Sequence, residues 1–563
     1  MLLCVMDFSL QEARHTDFIN EFLGNVHMKR THIAAAIAAA LVSGSANAAS
    51  AFNWNLEWTF NHTAANGSNA MGSEIVSYDA LNNRIWVVGT DANEANLGLG
   101  GIDILDMGGN LLQSFDTSSL GGINSVAVKN GQAAVAITAP TKTDPGLVRF
   151  YDAGNYSVLQ DVTVGANPDA VTFTPNGNKL LVANEGEPSS YLVGPSGDPV
   201  GSVSIIDTNT YAVQTAGFDA FNSQAAALKT AGVRLTGPNA SVAQDLEPEY
   251  IAVSADGTKA MATLQEANSV AIIDIASATV TDIKALGFKD HSLPGNGFDA
   301  SDRDGAGNAA LPGNIQNWNV MGMYMPDGIA SFNKNGDQYY ITPNEGDSRD
   351  DWPGGEEEVR VGNAVIDAVL NDAMSLAHGS DWQTNNDKLS RLTVSTSGDL
   401  DGDGDLDEIH LFGGRSFSIL DAAGNQVFDS GDQLEQIIST LYPALLDDGR
   451  SDNKGPEPET AVVGNVNGRD ILFLGLERSN AVMTWDLTDL NDIKFLDMIF
   501  TGGNVGPEGL SFFSNAEGSF LAVANEVSET TSLYRVAAVP VPGAVWLFGS
   551  ALFGLLGVSR RKA

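Results

Sequence analysis

The sequence predicts an all-β fold, a seven-bladed β-propeller with top-face insertions that contain short helices. Three observations predict it. A hairpin flanked by acids recurs along the chain. An apolar strand ending in Asp follows the hairpins. The last unit lacks its outermost strand, and a spare strand near the N-terminal side is there to supply it.

The hairpin reads as an acid, a β-run, a Gly/Asn turn, a second β-run and a second acid. Its copies run Glu74 to Asp91, Asp169 to Glu185, Glu249 to Glu266, Asp327 to Glu345, Glu459 to Glu477 and Glu508 to Glu526. The separations are 17, 16, 17, 18, 18 and 18 positions, and five of the six first acids follow a proline. A seventh copy, "NSVAVKNGQAAVAIT" from Asn124, keeps the hairpin and loses both acids.

The second element is an apolar strand closed by Asp106, Asp152, Asp207, Asp274, Asp421 or Asp486, then a turn and a further strand. After the last hairpin only "TSLYRV" remains, and "FNWNLEWTFN" at 52–61 fits the gap. Each unit has apolar faces that only its neighbours can bury, so the ring must close. Tandem sandwiches fit less well, because they need no borrowed strand.

A propeller places these acids. The innermost strand starts at the top face, and the second strand returns to it. Both acids of a hairpin therefore stand at the top, near the central channel. About a dozen like charges in one opening raise one another's pKa values. Such a ring is expected to bind cations or to recruit Arg, Lys and backbone N–H partners. The alternative is that each acid caps its own loop. The rim candidates for a metal are Asp169, Glu185, Glu249, Glu266, Asp327, Glu345, Glu459, Glu477, Glu508 and Glu526.

The fifth unit carries the largest insertion, 346–414, opened by Asp327 and Glu345. It contains a helical stretch, "AVIDAVLNDAMSL", and then "GDLDGDGDLDE". Asp399, Asp401, Asp403 and Asp407 alternate in a tight loop with Gly404, a pattern that wraps a hard cation in oxygen ligands. His410 stands where an EF-hand has its twelfth-position Glu, so this is a shorter calcium-type loop, or else a solvated acidic one. The segment 284–325 adds Asp299, Asp302 and Asp304. Arg415, in "FGGRSFSI", is a candidate anion clamp or a structural ion pair.

Bulk composition agrees. The 563 residues carry a formal net charge of −41, which excludes nucleic acid as a partner. The single cysteine, Cys4, precedes a second start at Met28. From Met28 a basic segment, an apolar segment and an A-x-A site at Ala46-Asn47-Ala48 form a signal peptide, residues 28–48. Residues 1–27 read as an upstream mis-start, or as a cytoplasmic extension. The expected propeller occupies 49–536, without cysteine or disulfide.

Residues 537–563 close with "VPVPGAVWLFGSALFGLLGVSRRKA", an apolar segment barely long enough to span a bilayer, then a basic cluster. This tail resembles a PEP-CTERM sorting signal, with Val-Pro-Gly in place of Pro-Glu-Pro. The resemblance implies an exosortase-type processing enzyme and export to the cell surface or extracellular matrix of a Gram-negative bacterium. The plainer reading is a C-terminal transmembrane anchor.

No nucleophile constellation stands out. Past the signal peptide the histidines are His62, His291, His378 and His410, in no zinc-binding pattern. An enzyme here would use bound Ca²⁺ to hold a phosphoester and activate water, with Asp327, Glu345 and Arg415 as catalytic candidates.

The stretches "LEPEYIAVSADGTKA", "FDASDRDG", "GMYMPDGIASF", "NEGDSRD", "DGDGDLDEIHLFGGRSFSI", "GPEPETAVVGNVNGRDILFLGLER" and "PEGLSF" resemble the choice-of-anchor I family. That domain is similar to the mesenchyme-specific cell-surface glycoproteins of biomineralising animals. The resemblance covers about 55–536 and implies an exported propeller that binds calcium. Its members are often labelled alkaline phosphatase-like, and the propeller resembles phytase-like esterases. Two expectations follow: a calcium-binding surface or matrix protein, whose ligand could be envelope polysaccharide, or a Ca²⁺-dependent phosphoesterase with its site on the top face.

Overall fold

The computed structural model describes residues 52–63, 71–90, 100–194, 197–305, 313–351 and 353–538. The segments 1–27 and 28–48, the sorting tail from 539 onward, and Asp91 lie outside the described residues.

Seven four-stranded antiparallel sheets span 75–116, 123–166, 168–217, 248–285, 330–429, 458–499 and 507–538, the last with a strand from the N-terminal side. Their innermost strands contact one another in chain order, and Ile75–Asp79 touches both Ile123–Lys129 and Pro507–Asn515, so the ring is closed. The closing strand is Phe52–Asn61. It lies antiparallel on Thr530–Ala538, from Phe52 opposite Ala538 to Asn61 opposite Thr530. This is the borrowed strand that the incomplete last unit requires.

Local sequence explains the turns. Asn130-Gly131, Asn335-Gly336 and Asn467-Gly468 all take positive φ at both positions, the geometry of tight hairpins. At the far end of the third strands, Asp106, Asp207 and Asp421 each accept backbone N–H bonds from two residues just beyond them, at 2.8–3.1 Å. These aspartates are turn caps on the face opposite the acidic rim. Between sheets the core is apolar and aromatic. Trp485 meets Phe417 edge-on at 5.2 Å, and both are fully buried. Each such side chain contributes about 2–3 kcal/mol.

The insertion builds a sheet of its own. Phe288–Asp290, Met321–Met323, His410–Leu411, Thr393–Ser395 and Glu358–Arg360 form a five-stranded mixed sheet, parallel only where Met321 faces His410. Phe298, Trp318, Met374 and Trp382 pack its core. The helix expected in this region is Ala368–His378, capped by the Asp367 side chain on the amides of Val369 and Leu370. Among the described residues no helix is long and apolar enough to cross a membrane.

Candidate functional site

Proline and a bulge aim the first acids. Pro168, Pro248, Pro458 and Pro507 start their strands opposite the last residue of strand two, and the register then shifts within the next three residues. Asp169, Glu249, Glu459 and Glu508 fall in that shift, released from the regular ladder. The residues before the prolines are unusual as well. Asn167, Met325 and Glu457 have φ of 46°, 43° and 48°. Such left-handed backbone at non-glycine residues costs about 1–3 kcal/mol each. It is held in place by the start of the next loop. Glu185 N donates to Asn167 O at 3.0 Å, Glu477 N to Glu457 O at 3.0 Å and Gly346 N to Met325 O at 3.0 Å. These bonds set the second acid of each hairpin beside the first.

The asparagines just before the second acids are staples. Asn184 Nδ2 donates to Ser204 Oγ at 3.0 Å, and Asn344 Nδ2 to Ser418 Oγ at 2.9 Å. The amide ties strand two to strand three, and the neighbouring carboxylate is left to face the axis.

The result is a central cavity of about 330 Å³ in which eleven of thirteen lining residues are Asp or Glu. Asp169, Glu185, Glu249, Glu266, Asp327, Glu345, Glu459 and Glu508 all line it. Glu187, Glu247 and Asp347 join them from the loops. Sequence reasoning missed these three, although a signal existed: "EGE" at 185–187 and "EGD" at 345–347 repeat an acid two positions on, and "EPE" at 247–249 has one two positions before. Glu477 and Glu526 stand just outside the cavity lining, within range to act on Glu508. Glu74 is engaged by its own hairpin, accepting from Thr90 N at 2.8 Å.

Burial, and then the neighbouring negative charges, push these groups upward. Asp327, Glu185, Glu249, Glu459 and Glu508 are held well above the usual carboxylate range. Burial raises Asp169 to about 7, despite the opposing charge of Lys142. Glu266 is raised to about 7, with Arg349 opposing. Oε2 of Glu249, Glu266, Glu459 and Glu508 is buried with no hydrogen-bond donor. Loop capping leaves at least one oxygen of each of these four without a donor. Burial also raises the Tyr250 phenol, which feels Asp327, Asp169, Glu508 and Glu459 together.

Protein cations answer only part of the ring. Lys454 Nζ lies 2.8 Å from Glu345 and 3.4 Å from Asp347. Arg349 pairs with Glu247 at 2.5 Å and Asp245 at 3.2 Å, and Lys142 pairs with Glu187. Glu345, Glu457 and Glu477 could together bind an ion, but Arg450 and Arg478 already bond Glu457 at 2.6 and 3.3 Å. In the second sheet, Asn124 and Thr138 stand where the acids would be and hydrogen-bond each other at 2.9 Å.

The calcium-type loop splits into two groups. Oxygens of Asp399, Asp401 and Asp403 lie within 4.8 Å of one another, and those of Asp407 converge with Asp367 and Asp405 instead. Asp399 also accepts from the amides of Gly402 and Gly404 at 2.7 and 2.9 Å. Arg415 does not line the mouth. It is 2% exposed, and it bonds Glu435 at 3.0 Å and the carbonyls of Asp299, Ser451 and Asn453 at 2.8, 2.7 and 2.6 Å. Both terminal nitrogens clasp neighbouring segments, and only Nε is left without a partner.

A mesenchyme-specific cell surface glycoprotein of Strongylocentrotus purpuratus is 25% identical over 255 residues, covering 38% of this chain and 32% of the relative. Gigasin-3a of Magallana gigas is 31% identical over 128 residues, 20% of this chain and 45% of the relative. The chain thus spans less than half the length of either. Among solved structures, Kuenenia stuttgartiensis hydrazine synthase matches 84% of this chain and 99% of its own, with TM-score 0.42 and 12% identity. The Neurospora crassa Pan2 WD40 domain matches 86% and 95%, with TM-score 0.42 and 10% identity. The choice-of-anchor I domain matches residues 74–490, and the chain belongs to that family.

Proposed function

We propose that this chain is an exported, surface-associated propeller that binds calcium in its central mouth and in the Asp399 loop. The observation that carries the reading is the set of buried, donor-less oxygens on Glu249, Glu266, Glu459 and Glu508 in one acid-lined cavity. A bare buried carboxylate is costly, and an ion or a proton must answer it. The lining offers oxygen donors and no His or Cys. That is the donor set of a hard cation with many ligands and loose geometry, which is calcium. The surface setting is supported by the family and by the relative described as a cell surface glycoprotein. A mouth loaded with calcium would present metal charge to an acidic partner such as an envelope polysaccharide, and an exosortase-type enzyme would process the tail.

The phosphoesterase reading uses the same ions. Bound calcium would supply Lewis acidity to a phosphoester, and Asp327 and Glu345 would hold it at the mouth. We favour the binding role, because among the described residues Lys142, Arg349 and Lys454 at the mouth are all paired with acids. Titration calorimetry of the full chain with calcium tests the core of the proposal. A component of the binding heat that disappears in the Glu249→Gln/Glu459→Gln/Glu508→Gln variant, with the Asp399-loop component retained, supports it, and equal binding by the two proteins refutes it. Calcium-dependent phosphoester turnover in the same samples would favour the enzymatic reading.

A further inference from the structure

A separate acid-rich place lies where segment 299–304 meets turn 447–453, and none of its acids lines the mouth. Two arginines clasp the segments. Arg415 bonds the Asp299 carbonyl on one side and the Ser451 and Asn453 carbonyls on the other. Arg391 Nη2 reaches Asp302 at 3.0 Å and Asp452 at 2.9 Å. Between them Asp448 is 7% exposed, and neither of its carboxylate oxygens has a hydrogen-bond partner. After burial, the largest influences on Asp448 are the charges of Asp304 and Asp302.

The local cations are already used. Arg391 is shared by two aspartates, Arg415 serves three carbonyls and Glu435, Arg360 bonds Asp452, Arg450 pairs with Glu457, and Arg303 lies 3.6 Å from Asp302. A nine-tenths-buried carboxylate with both oxygens bare, facing further acids, lacks a positive partner. We infer that a divalent cation of the calcium class binds here, with Asp448 as its central ligand, Asp304 as a second, and water completing the shell. Asp304 is partly oriented for this, since Asn314 Nδ2 donates to its Oδ2 at 2.6 Å. Burial raises Asp448 to about 6, which a cation would reverse by displacing the proton. The ion would tie the segment before the inserted sheet to the connection leading into the sixth sheet.

Equilibrium dialysis with radioactive calcium counts the ions on the full chain and on Asp448→Asn. The variant is expected to bind one ion fewer per chain. Amide exchange at 299–304 and 447–453 in calcium should also be faster in it than in the parent. An unchanged ion count, the result for an acid that is simply protonated, overturns the proposal. If Asp448→Asn does not fold, Asp304→Asn is counted instead, with loss or at least tenfold weakening of one ion expected and no change overturning the inference. The triple mouth variant should retain this ion, so failure of the mouth reading would appear separately.

Discussion

Lys454 Nζ stands 2.8 Å from Glu345 Oε1, and this pair divides the mouth. On its side, Glu345 also accepts from Gln265 Nε2 at 3.0 Å, so both carboxylate oxygens are satisfied. Elsewhere in the ring Glu249, Glu459 and Glu508 each keep a bare oxygen. The protein supplies internal cations where loops reach the ring, Lys454 here and Arg349 and Lys142 at Glu247 and Glu187, and leaves these three oxygens without a donor.

Removing the internal cation is therefore expected to be severe. Lys454→Met leaves Glu345, Asp347 and Glu457 facing one another. Breaking a buried pair by deleting one partner costs about 3–5 kcal/mol. Urea unfolding in chelator should show a loss of that order, partly recovered by calcium. A loss below about 1 kcal/mol would contradict the division of the mouth.

Neutralising a bare acid should act in the opposite direction. Glu508→Gln removes a buried carboxylate that has no donor on Oε2. The variant is expected to gain about 1 kcal/mol in chelator and to show a smaller calcium-induced rise in melting temperature than the parent. A less stable apo variant would mean that Glu508 already has a partner.

The pH dependence has a definite sign. Asp169 and Glu266 are raised to about 7 in the folded state, from ordinary values of 3.8 and 4.5. The folded chain thus holds more protons than the unfolded chain between about pH 4.5 and 7, and its stability falls as pH rises through that window. Glu457 is lowered in spite of its burial, by Lys454, Arg450 and Arg478, and works the other way only at and below about pH 4.5. Melting temperature in chelator should decline from pH 5 to 8, and the decline should flatten with calcium, which displaces the protons. A rising curve in chelator would contradict the assignment.

Much of this site was legible in the sequence and part was not. The acids flank hairpins at nearly fixed spacing, so a repeat fold brings Asp169 and Glu508 to one opening although 339 positions separate them. The spare strand 52–61 was legible because an incomplete unit exposes unpaired backbone. Lys454 and Arg349 were not, because they reach the rim from non-repeating loops where no periodicity constrains position. The inserted sheet was invisible for a related reason. His410–Leu411 is two residues long, and its neighbours Met321–Met323 and Thr393–Ser395 are three each, too short to show alternation. Arg415 was open to reading as a clamp or as an ion pair because acids surround it in sequence, and most of its bonds go to carbonyls, which no residue type announces.

The Asp399 loop separates folding from ion binding. Asp399 bonds the amides of Gly402 and Gly404, so Asp399→Ala should destabilise the loop by about 1 kcal/mol even in chelator. Asp401→Asn should leave apo stability nearly unchanged and remove one calcium, with mouth binding intact. Calorimetry on the two variants distinguishes these outcomes.

The most direct measurement is anomalous diffraction from crystals of the full chain grown in calcium. The proposed role predicts a calcium peak inside the mouth, about 2.3–2.6 Å from carboxylate oxygens of Glu249, Glu459 and Glu508. A mouth without a peak at saturating calcium, its acids instead sharing protons, would contradict it.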